Sequence, residues 1–92
     1  MKITVGGTAT LLAAADANRE TLCVQHIDVT HDAARVWLGG ASVAVGDGLL
    51  LLQAGLAITI TGSAARQAWY ALAAETVDVA VVTSSRWDSR AQ

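Results

Sequence analysis

The stretch RETLCVQHIDVTHDAARVWLG, residues 19–39, decides how the rest of the chain is read. It holds two strand-like runs, 21–30 and 34–38, separated by a short polar corner at His31-Asp32. In the first run Leu22 and Val24 share one face, while Cys23, Ile27 and Val29 have the opposite parity. Apolar residues on both parities require either a strand covered on both sides or a bulge near Gln25-His26 that shifts the register. In the second run Val36 and Leu38 point inward, and Arg35 and Trp37 point outward. Gly39-Gly40 ends it, because glycine reaches positive φ at little cost.

The segments around this pair read as further strands. Residues 2–5 alternate, with Ile3 and Val5 on one face, and Gly6-Gly7 allow a tight turn before a second strand or bend over 8–13. The alanine-rich stretch that follows has helical propensity, but a helix so short is weak in water and Asp16-Ala17-Asn18 favours a turn. A strand followed by a loop is therefore expected, with a helical turn near residues 13–17 as the alternative. Residues 42–45 read as a brief strand, Gly46-Asp47-Gly48 as a turn, 49–52 as an apolar strand and Ala54-Gly55 as another turn. Leu56, Ile58 and Ile60 alternate with Ala57, Thr59 and Thr61, as a half-buried antiparallel strand requires. After Gly62-Ser63, residues 68–73 set Tyr70 and Leu72 on one face and Trp69 on the other. In 77–82, Val77, Val79 and Val81 point inward and Asp78 outward.

Turn signals every eight to twelve residues and the absence of helical periodicity predict an all-β fold, a small antiparallel β-sandwich or jelly roll. One domain is expected over residues 1–83, with 84–92 as a polar C-terminal tail or arm. Proline is absent, so no position is barred from ladder hydrogen bonding.

Composition narrows the function. Net charge is −2 and the six Lys and Arg residues never cluster, which leaves no electrostatic footprint for nucleic acid. Residues 1–5 form an alternating run, not the apolar core of a signal peptide. The uncharged run between Asp47 and Arg66 is interrupted by glycines and alternates in its second half, so it reads as strands and not as a membrane span. With 53% hydrophobic and 15% charged residues, the chain is apolar for its size. A domain this short buries only roughly 60–65% of its unfolded surface. Two readings stay open: a dense core clad in small side chains, or apolar surface covered by another subunit.

Candidate chemistry is sparse. His26, Asp28, His31 and Asp32 are residue types that bind zinc, but their spacing matches no closed site. The expected role of His26 is to satisfy buried backbone groups at the bulge. Cys23 is the lone cysteine and lies within a strand run as a small hydrophobe. Cys23 and His26, three apart on a strand, face opposite sides. No catalytic, metal or cofactor site is expected, and the protein reads as a non-enzyme. The tryptophans say more. Trp37 and Trp69 are assigned outward parity, and Trp87 lies in the polar tail. Tryptophan is enriched where surfaces meet, so Trp37, Trp69 and Trp87, with Arg35, are the candidate interface residues.

Five stretches in order resemble a small β-rich module of tailed-bacteriophage structural proteins, found as capsid decoration (cement) and head-fibre proteins. They are 13–25 (AAADANRETLCVQ), 36–39 (VWLG), 52–55 (LQAG), 69–73 (WYALA) and 76–82 (TVDVAVV). The resemblance implies that Asn18-Arg19 closes the loop before the long strand, with Arg19 bracing carbonyls or a carboxylate. It implies strained backbone at Gly39 and Gly55. Where the module often has asparagine after the glutamine, this chain has His26. The implied function is a virion protein, made in the host bacterial cytoplasm, that binds the major capsid protein on the outside of the shell and stabilises it, as a homotrimer. The alternative is a head-fibre or tail module that recognises host glycan through Trp37 with Arg35, or Trp69 with Arg66 and Gln67.

Overall fold

A computed structural model describes residues 1–44 and 46–85. Its eight strands are β1 (Lys2–Val5), β2 (Thr10–Ala13), β3 (Arg19–His26), β4 (Val36–Gly39), β5 (Leu49–Leu51), β6 (Ala57–Thr61), β7 (Trp69–Ala73) and β8 (Val77–Ser85). They form two four-stranded sheets of order β1-β8-β3-β6 and β2-β7-β4-β5, with every pair antiparallel. Apart from β4–β5, each successive strand switches sheet. This double Greek-key order is that of a jelly roll, as the turn spacing predicts. Among the described residues no helix is long and apolar enough to cross a membrane.

Alternation builds the core. Val77, Val79 and Val81 of β8 lie opposite Val5, Ile3 and the β3 face of Leu22, Val24 and His26, and all three valines are buried. The facing sheet contributes Leu12, Val36, Leu38, Leu51, Ala71 and Ala73. Ile3, Ala13, Ile58 and Trp69 close the rim of this cluster. Inward β-branched residues pack well on a pleated surface and need no partner for a polar atom.

Four sequence expectations change. The strand read over 21–30 ends at His26. Asp28 accepts from the Thr30 amide and starts a 3-10 turn over Val29–His31, which leaves Val29 82% exposed. The two-parity pattern therefore comes from a strand that stops, not from a bulge at Gln25-His26. The register shift in β3 lies between Arg19 and Thr21. Residues 42–44 give no strand: the Val43 amide donates to Gly40 in a turn, and Ala44 makes only an isolated bridge to Asp47, while residue 45 lies outside the described residues. Gly39 has ordinary φ, and what an added Cβ would meet is the Val43 side chain, 3.2 Å away. Gly55 does have positive φ, +95°. The fourth change concerns the tail, since Ser84 and Ser85 continue β8 opposite Thr21 and Arg19.

Candidate interaction surface

The two outer faces differ in chemistry. On the β1-β8-β3-β6 sheet the outward residues include Lys2, Thr4, Asp78, Ala80, Thr21, Cys23, Gln25, Thr59 and Thr61, and Val82 is the exposed apolar exception. Thr4 donates to Asp78 at 2.6 Å, and Lys2 lies 3.8 Å from the same carboxylate. This is a polar face of small side chains.

The β2-β7-β4-β5 sheet presents the opposite. Trp37 sits across from Leu72 on one side and Leu50 on the other, and Tyr70 lies opposite Gly39 and Leu11. One residue type thus continues over all four strands: Leu11, Tyr70 with Leu72, Trp37 and Leu50. Leu11 is 46% exposed, whereas Trp37, Leu50 and Tyr70 are half-buried. Leu72 is nearly covered although it faces out. Directly opposed residues on one face lie about 4.5–5.5 Å apart at Cβ, so the row is a continuous apolar surface and not four isolated side chains. Arg35, exposed, precedes Val36 at the end of this row.

The other interface candidates stand elsewhere. Trp69 shares parity with Ala71 and Ala73, packs against the core, and donates its indole N–H to the Ala64 carbonyl at 2.8 Å. Its outward assignment is corrected, and Tyr70 and Leu72 take the outward positions of β7. Trp87 lies outside the described residues. Leu11, Leu50 and Tyr70 were missed as surface residues, because nothing local marks which parity of a short aliphatic run faces water.

The loop positions act as braces. The buried Arg19 guanidinium donates through Nε to Ala65 O, through Nη1 to Ala14 O at 3.0 Å, and through Nη2 to Gln67 O at 2.7 Å. It therefore binds carbonyls, not a carboxylate. The Asn18 amide closes the loop on Asp16 Oδ1 at 2.9 Å.

The His/Asp group does not form a metal centre, and among the described residues no three His, Cys, Asp or Glu side chains gather as ligands. His26 is fully buried. Its Nδ1 accepts from the Asp28 amide at 3.3 Å, and an amide can only donate, so Nε2 carries the hydrogen given to Ala34 O at 3.0 Å. His26 does satisfy backbone groups, at a strand end instead of a bulge. Asp28 is the hub of the corner. It accepts from the Thr30 hydroxyl at 2.7 Å, the Thr30 amide, His31 Nδ1 at 3.1 Å, and the Asp78 amide of β8 at 3.2 Å. The Thr30 hydroxyl most of all, with His31 and the Asp78 amide, holds this carboxyl below the usual range against the opposing effect of desolvation. Asp32 is exposed and contributes its backbone carbonyl to Ala54.

Two open grooves also lie among the described residues. One of about 660 Å³ is lined by Met1, Leu12, Arg19, Val81 and neighbouring residues, and there all three Arg19 nitrogens already donate to carbonyls. The other, about 430 Å³, is lined by Glu20, Thr21, Thr61, Gly62 and Arg66. Neither a protein-family model, a curated protein nor a solved structure matches this chain.

Proposed function

We propose that this chain is a non-enzymatic structural protein of a tailed-phage virion, a decoration protein that docks on the outer surface of the major capsid protein shell. The observation that carries the reading is the apolar row Leu11–Tyr70–Leu72–Trp37–Leu50 on one outer face, set against a polar opposite face. Such asymmetry suits a protein with one side on a substrate surface and the other in water. The mechanism is passive: a copy that binds the assembled shell but not separated capsomers stabilises the shell by linkage. The sequence resemblance and the jelly-roll order also support it, since viral capsid and lectin domains use this architecture, although fold alone assigns no function.

The glycan reading has less support. In one of its two candidate pairs, Trp69 has its N–H bound to Ala64 and its ring against the core.

The test is co-sedimentation of the purified full chain with undecorated tailed-phage capsid shells, comparing wild type with Trp37→Ala. Wild type is expected in the pellet at high copy number, with binding weakened at least tenfold by the substitution. Absence from the pellet, together with specific retention on a glycan array, would overturn the proposal in favour of the fibre or tail module.

A further inference from the structure

Among the described residues the sandwich has four edge strands, and three of them are poor templates for pairing. β1 is four residues long and carries Lys2, β2 contains a register shift between Leu11 and Ala13, and β5 spans three residues. β6 is different. It is five residues long, AITIT, uncharged, and runs against β3 without irregularity. Edges of this kind invite another strand unless something blunts them.

The backbone shows which groups are free. The His26 amide donates to Leu56 O at 3.0 Å, so the polar groups of residue 56 point at β3. Alternation then directs those of Ile58 and Ile60 to β3 and those of Ala57, Thr59 and Thr61 away from the sheet. The same alternation on the far side of β3 brings the β8 groups of Val81 to Met1, where the Val81 amide donates at 2.7 Å. The 3-10 turn Gly62–Arg66 after β6 folds toward β3, where Ala65 O meets Arg19 and Arg66 O accepts from Asp16, and among the described residues nothing pairs with the outer edge.

We infer that β6 is a self-pairing edge and that its occupant is β6 of a second copy, antiparallel about a two-fold axis through Thr59. An isologous contact requires an edge that complements its own two-fold copy. β6 does: Thr59 meets Thr59, Ile58 meets Ile60, and Ala57 meets Thr61. Thr59 is an outward-pointing residue, so the axis falls on a hydrogen-bonded pair. The three free residues of each strand then exchange all their amides and carbonyls. The inner-face contact of Ile58 with Ile60 joins the two cores and covers the partly exposed Ile58. The outer face brings threonine against threonine with no charge at the seam. The product is a continuous eight-stranded sheet and a two-fold dimer, not the threefold assembly that the resemblance implies. It does not depend on the capsid reading, and it uses a different surface.

The experiment is sedimentation velocity and light scattering on the full chain at about 100 µM, for wild type, Thr59→Pro, Thr59→Lys and Trp37→Ala. Proline at 59 removes an amide that points away from β3 and leaves the β3–β6 ladder whole. Lysine keeps the backbone and sets two like charges across the axis. Wild type is expected at twice the 9.5 kDa chain mass. Thr59→Lys should shift it to a monomer with an unchanged β-sheet spectrum, Thr59→Pro should do the same, and Trp37→Ala should remain a dimer. A monomeric or trimeric wild type, a dimer that survives Thr59→Lys, or one that dissolves on Trp37→Ala overturns the inference.

Discussion

Arg19→Met removes three hydrogen bonds and keeps the apolar stem, so it isolates what the guanidinium contributes. The three acceptors are not equivalent. Ala65 is fully buried, and its carbonyl has no route to water once Nε is gone. An unsatisfied buried group costs about 1–3 kcal/mol. Ala14 and Gln67 are exposed residues whose carbonyls can rehydrate, so each lost bond there costs about 0.5–1.5 kcal/mol. Relief from burying the guanidinium offsets part of the sum. The net expectation is about 3 kcal/mol, read as a lower urea midpoint at unchanged slope and a thermal midpoint about 12–24 °C lower. A domain of this size has only about 5–14 kcal/mol in total, so the variant should still fold, with about 2–11 kcal/mol left. Arg19→Lys offers one point donor in place of a planar fork and should recover at most a third of the loss. An Arg19→Met variant within about 0.5 kcal/mol of wild type, the range of an ordinary surface change, would refute the bracing role of the guanidinium.

Two further predictions concern the corner and a turn. The Asp28 carboxyl titrates lower folded than unfolded, so its stabilising effect is complete above the ordinary carboxylate value of 3.8 and fades as pH falls through the lower folded one. Urea midpoints of wild type and Asp28→Asn should therefore differ most near neutrality and converge below about pH 4, and a gap constant down to about pH 2 would contradict the hub role of Asp28. Gly48 has φ +146°, and an added Cβ would lie 2.5 Å from Leu38 O, so Gly48→Ala should cost about 2–4 kcal/mol in chemical denaturation. Gly40→Ala meets nothing within 4 Å at ordinary φ and serves as the control, with an expected change under about 0.5 kcal/mol.

How much of this was legible depends on which residues carry direction. β8 reads itself, because valines alternate with smaller or polar residues at Asp78 and Ala80, and β6 reads itself for the same reason. β7 misleads. In WYALA the inward positions Ala71 and Ala73 are small and the outward ones are large, so bulk points the wrong way and Trp69 is misplaced. The core tolerates alanine there because larger side chains such as Leu12 and Leu38 fill the shared space. Contacts remote in sequence were beyond local reading. Arg19 reaches residues 46 and 48 positions away, and Asp28 meets the amide of Asp78 50 positions away. The stop at His26 was hidden for a related reason: Ile27 and Val29 look like strand residues, and only the Asx geometry at Asp28 turns the chain aside.

The distribution of aromatic rings gives the surface argument its force. Aromatic side chains usually dominate core energetics. This chain has no phenylalanine, and the largest fully buried side chains are leucines, valines and His26. Of the aromatic residues the structure describes, Trp37 and Tyr70 lie on an outer face and Trp69 at the rim. A small domain with little stability to spare thus keeps its largest hydrophobic groups where its own fold cannot cover them. At about 25 cal/mol per Å² of apolar surface, covering the remainder of such a row is worth several kcal/mol, comparable to the domain's own margin. Residues placed for the isolated fold alone would be swapped inward, where the same atoms stabilise more. Their position on one four-strand row, away from the uncharged edge of β6, is the ground on which the proposed docking face rests.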